Sequence, residues 1–80
     1  MNNNQQQIKC ELSGWALDVF ECVKRIPSKD FSMDDIYAFE NELQQSHPNN
    51  HNIKAKIRQQ LQVLCDKGLI QRIENGHYMK

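Results

Sequence analysis

The sequence predicts a mainly α-helical fold with a small β-hairpin, the winged helix-turn-helix, in which three helices are followed by a C-terminal wing. Three observations carry that expectation. Within Asn49 to Gly68, the residues Ile53, Ile57, Leu61 and Leu64 recur at i, i+4, i+8 and i+11, so four apolar side chains share one helical face. Ahead of that stretch, two segments each set helical apolar spacing behind a capping residue, Ser13 and Ser32. Past Gly68 the period changes to a β-favouring run, Leu69 to Ile73, then Asn75-Gly76, then a return strand opening at Tyr78-Met79. Asn-Gly between two such runs is the strongest short hairpin signal.

Eighty residues allow one domain, and a chain this short buries only about 60% of the surface that its unfolded form exposes. There is no room for a catalytic scaffold beside a binding module. The formal net charge is zero, which argues against coating nucleic acid through bulk positive charge. The distribution is polarised: Glu11 to Glu42 holds eight acids against three bases, a net −5. Leu43 to Lys80 holds six bases against two acids, a net +4, and Lys9 supplies the remainder. Cys10, Cys22 and Cys65 form no CxxC pair, and an odd count without a secretory signal fits free thiols in a reducing cytoplasm. No apolar run approaches the roughly 20 residues of a membrane span.

In chain order, residues 1–12 are expected to be a disordered or linker lead and residues 13–80 the domain. Met1 to Gln7 has no apolar residue after the initiator, so nothing offsets the entropy of ordering it. Ser13 caps a first helix running to about Arg25, with Ala16, Val19, Phe20 and Val23 on one face, extended by Leu17 and Ile26. Pro27 disfavours the helical conformation at Ile26 and ends it. Trp15 reads as a lid over a small core, and Cys22 and Cys65 as core or boundary residues.

Lys29, Asp30 and Phe31 form a short extended connection. Ser32 and Asp35 have capping-pair spacing, and Asp34 and Asp35 complement the helix dipole, so a second helix starts near Met33. It carries Met33, Ile36, Phe39 and Leu43 inward with Tyr37 beside them. Gln44 to Asn50 reads as a polar loop with Pro48, longer than a minimal helix-turn-helix turn. His47 and His51 are spaced H-x3-H, but Pro48 between them and the lack of a cysteine pair argue against a metal site; they read as loop histidines within reach of phosphate. No cofactor is expected.

The third helix, capped within Asn49 to Asn52 and closed by Gly68, is the functional candidate. Opposite its apolar face lie Ala55, Arg58, Gln59 and Gln62, with Lys54 and Lys56 on the flanks. Amides and a guanidinium suit base edges in a major groove, and ammoniums suit phosphates. Three helices then a hairpin is the order that puts such a helix into the groove and the wing on adjacent backbone. The candidate DNA-binding set is Asn50, His51, Asn52, Lys54, Ala55, Lys56, Arg58, Gln59 and Gln62, with Arg72, His77 and Lys80 from the wing.

From Ser13 onward the chain also resembles a known family, the C-terminal winged-helix domain of methyl-directed type II restriction endonucleases, the DpnI-like or Dam-replacing family. The matching residues are Gly14-Trp15, Asp30-Phe31-Ser32, Asp35-Ile36-Tyr37 with Phe39-Glu40, the block NNHNIKAKIRQQLQVLCDKGLI, and Gly76 and Tyr78. Those enzymes cut GATC only when its adenine is N6-methylated, joining an N-terminal, metal-dependent PD-(D/E)xK nuclease domain to a winged helix that also reads methylated DNA. These 80 residues lack the nuclease part, so the resemblance implies recognition and not cleavage. It also implies either the reader of a larger enzyme, with an upstream nuclease domain as partner, or a stand-alone relative.

N6-methyladenine keeps its pair only with the methyl in the major groove, where a Gln or Asn gripping N6 and N7 loses a donor partner. A reader needs an apolar recess, and Ala55, with the aliphatic parts of Lys54 or Gln59, is the candidate lining. Arg58 suits guanine O6 and N7. The competing readings are a winged-helix transcription regulator or a protein-interaction module without methyl specificity. A regulator normally needs a dimerisation element to span two half-sites, and with no spare helix a monomer is expected.

Overall fold

The computed structural model describes Leu12 and residues 14–80. The expected lead over Met1 to Gln7, the thiol of Cys10 and the cap at Ser13 lie outside the described residues. Helix α1, Gly14–Arg25, buries Val19, Cys22 and Val23 and ends in Lys24 and Arg25, cations suited to the negative end of the helix dipole. Ile26 is buried just beyond it and Pro27 is exposed. Trp15 packs against the core from its edge, as a lid does.

Strand β1, Asp30–Ser32, is the segment expected as a plain connection. It pairs antiparallel with β3, His77–Met79, which also pairs with β2, Gln71–Glu74, giving a three-stranded sheet of order β1-β3-β2. The reason is that an isolated hairpin is marginal, and the free edge of β3 is satisfied by the chain that passes it. Phe31 faces Tyr78 in the register, their rings stack at 5.6 Å, and both are buried.

Ser32 then caps α2, Met33–Tyr37: the Asp35 amide donates to Ser32 Oγ, and the Ser32 amide donates to Asp35 Oδ2 at 2.9 Å. The expected second helix is divided here. Ala38 and Phe39 form a turn, with the Phe39 amide donating to the Ile36 carbonyl at 3.0 Å, a tighter bond than the α-helical one. Helix α3, Glu40–Ser46, follows, so the described residues hold four helices where three are expected. No Gly or Pro between Met33 and Ser46 marks the break. Gln44 to Ser46, expected in a loop, are helical, and the connection narrows to residues 47–52.

Helix α4, Ile53–Asp66, runs as the periodicity requires: Ile53, Ile57, Leu61 and Leu64 are buried, the last three completely. Asn52 caps it by accepting from the Ala55 amide. At its end the Leu69 amide donates to the Leu64 carbonyl and the Gly68 amide to the Cys65 carbonyl, both at 3.0 Å, around Gly68 at φ +78. That is a Schellman closure, which requires the left-handed conformation at position 68. The core is one cluster in which α1 packs on α4 and the sheet covers an end through Phe31 and Tyr78. Among the described residues no helix is long and apolar enough to cross a membrane.

Candidate nucleic-acid interface

Because its opposite stripe is locked into the core, α4 turns Ala55, Arg58, Gln59 and Gln62 outward, and all four are exposed. Gln62 donates its amide to Asp66 Oδ1 at 3.0 Å, one turn on. Lys54 lies over the Tyr37 ring at 5.2 Å from the centroid, a cation–π contact that leaves the ammonium in water. Lys56 is half-buried.

Two hollows meet along this face. One, about 420 Å³, lies at the start of the helix between Asn50, Asn52, Ala55, Lys56 and Gln59. The other, about 400 Å³, runs between α4 and the wing. Its helix side is Ala55, Arg58, Gln59 and Gln62, its wing side Arg72, Gly76 and Tyr78, and its floor reaches Met33 on α2. Ala55 and Gln59 belong to both hollows, and none of the residues lining either is acidic.

The turn ahead of α4 is held rigidly. Gln44 Nε2 donates to the carbonyls of His47 and Asn50, at 3.2 and 2.9 Å. The Asn50 amide donates to the His47 carbonyl, and the Asn52 amide to Asn50 Oδ1 at 2.8 Å. His47 ties this turn to α1: its ring stacks on Trp15 at 3.8 Å and its Nε2 lies 2.6 Å from Asp18 Oδ2. The histidine read as a loop residue near phosphate is therefore a half-buried strut. His51 is exposed. Among the described residues no group of three or more His, Cys, Asp or Glu could hold a metal ion.

The wing candidates separate. Arg72 joins the groove beside Arg58. His77 instead pairs with Asp30 on β1, Nε2 to Oδ2 at 3.2 Å, and that hydrogen bond holds the Asp30 carboxyl below the usual carboxylate range. Lys80 donates from its ammonium to the Ile26 carbonyl and from its backbone to the Lys29 carbonyl, and lines a hollow with Cys65 and Gly68 at the far end of α4. The structure thus brings together Asn50, Asn52, Ala55, Lys56, Arg58, Gln59, Gln62 and Arg72. His77 and Lys80 stand apart from them, because the pairing of β3 with β1 carries both toward the chain that precedes α2.

The family model described as the Dam-replacing HTH domain matches residues 11–80. The chain belongs to that family. As a Dam-replacing HTH domain it is a DNA-binding winged helix, of the kind associated with methyl-directed restriction, and DNA is its partner. Three groove residues, Met33, Gly76 and Tyr78, lie outside the set that the sequence marks for DNA contact. The spacing of Met33 points it inward, Gly76 marks the wing turn and Tyr78 opens the return strand; Met33 and Tyr78 line the groove of this Dam-replacing HTH domain while packing against its core. The contiguity that reveals them is non-local, set by where the wing folds back.

Proposed function

We propose that residues 13–80 act as one monomeric unit that binds duplex DNA through the outer face of α4 and the adjoining wing, and that it reads N6-methyladenine in a GATC context. The observation that carries this is the acid-free groove that Arg58, Gln59 and Arg72 line together with Ala55, the one small apolar residue on the outer face of α4. In this reading Arg58 takes guanine O6 and N7, Asn50, Asn52, Gln59 and Gln62 meet base edges or flanking phosphates, and Lys54, Lys56 and Arg72 neutralise phosphates. His51, His77 and Lys80 would reach backbone only at the margin of the footprint.

The domain serves in a cytoplasmic protein as the reader for a nuclease domain, which supplies the cutting. Burial of one methyl contributes about 0.8 kcal/mol, so two methyls in the palindrome give roughly 1.6 kcal/mol, about fifteenfold. Larger selectivity needs something further, such as a hydrated site that rejects bare adenine or a second reading domain. The test is a titration of the 80-residue chain against GATC duplexes with and without N6-methyl groups, at two salt concentrations. About tenfold preference for the methylated duplex, persisting as salt weakens both complexes, is expected. Equal affinity for the two duplexes rejects methyl reading and leaves DNA binding intact.

A further inference from the structure

The groove beside α4 receives one side chain from outside the helix and the wing. Met33 opens α2, and its amide donates to the Gly76 carbonyl at 3.2 Å, which ties α2 to the wing turn. A side chain built at Gly76 would come within 3.8 Å of Met33 Cγ, so the thioether arm lies along the wing backbone. Met33 is only half-buried, and its remaining surface opens into the groove that also holds Ala55. The other side chains lining it are the guanidinium groups of Arg58 and Arg72, the amides of Gln59 and Gln62, and the largely buried ring of Tyr78. An apolar wall among such groups has one partner on a major-groove edge. Base edges there offer donors, acceptors and methyl groups, and only the methyls are apolar.

The geometry points to Met33 as a specificity-determining residue, forming with Ala55 a receptor for a methyl group in the major groove. The thioether is polarisable and adaptable, which suits a wall that must close on a small apolar group. The inference rests on the reading that α4 enters the groove. The methyl has two sources, thymine C5 and N6-methyladenine, and the experiment separates them.

The intact chain and its Met33→Gln and Met33→Leu variants are titrated with GATC duplexes that carry or lack the N6-methyl, and that carry thymine or uracil. Gln matches the length of Met but presents an amide, whereas Leu restores an apolar wall. Met33→Gln is expected to lower one methyl preference by about fourfold per methyl, with Met33→Leu keeping it. A fall in the N6-methyl preference assigns the receptor to the adenine mark, and a fall in the thymine-over-uracil preference assigns it to thymine. Retention of both preferences in Met33→Gln overturns the proposal, as does a parent protein that binds duplexes with no methyl preference of either kind. A parent that binds no duplex defeats the underlying DNA reading, and the proposal with it. Should Met33→Gln fail to fold, Ala55→Gln fills the same recess from the exposed side of α4, and an unchanged preference there overturns the proposal equally.

Discussion

Arg58 and Lys56 lie two positions apart on α4, and they should fail in different ways. Arg58 stands in the groove with a planar fork of donors that matches guanine, while Lys56 flanks the other hollow as a point charge. Arg58→Ala should relax the preference for GATC over scrambled duplex by about 1 to 3 kcal/mol. Lys56→Ala should weaken all duplexes alike and reduce the salt slope by about one. Competition binding at several salt concentrations separates the two outcomes; an Arg58→Ala protein with undiminished sequence preference would remove that residue from base contact. At the same scale, burial pushes the Cys22 thiol up to about 11 from its ordinary value of 9.0, with the Glu42 carboxylate adding to it. A raised thiol value stabilises the fold while the unfolded thiol also remains protonated. That contribution is lost as pH rises from about 9 toward 11. Urea unfolding across that window should show the parent losing more stability than Cys22→Ala does over the same pH interval.

The elements differ in how plainly the sequence declares them. Helix α4 is legible because it runs nearly four turns, long enough for a period of 3.6 to be unmistakable, and its two ends carry a cap and a glycine. The closing motif gives a direct check: Gly68→Ala forces a Cβ into the left-handed region at φ +78 and should cost about 1 to 2 kcal/mol in thermal or urea unfolding. Space around Gly68 is open, so a loss near zero would mean that the chain relaxes out of the Schellman geometry. Strand β1 was not legible, because three residues are too few to show alternation and its partner lies about 47 positions away, as the Asp30–His77 contact does. The break at Ala38 and Phe39 was equally silent. Tertiary packing places it, with the Arg25 guanidinium 4.9 Å from the Phe39 ring centroid and 2.5 Å from Glu42 on the next helix. Met33 shows the same limit within the candidate site: its spacing assigns it to the core, and only the return of the wing shows that its other side lines the groove.

Across the whole molecule the neutral total conceals a dipole. The acid-rich half supplies α1, α2 and α3, whose Glu21 and Glu42 are paired with Lys24 and Arg25. The base-rich half supplies α4 and the wing. Such a distribution orients a small domain toward a polyanion before contact, with the acidic helices trailing. In the proposed complex Lys56 and Arg72 meet phosphate while α3 stays in solvent. Amide chemical-shift mapping of the chain on addition of an N6-methylated GATC duplex tests this most directly. Shifts concentrated at Asn52, Ala55, Arg58, Gln59 and Arg72, with Glu21, Glu40 and Glu42 unmoved, are expected. Shifts gathered on α1 and α3, with the outer face of α4 unperturbed, would contradict it.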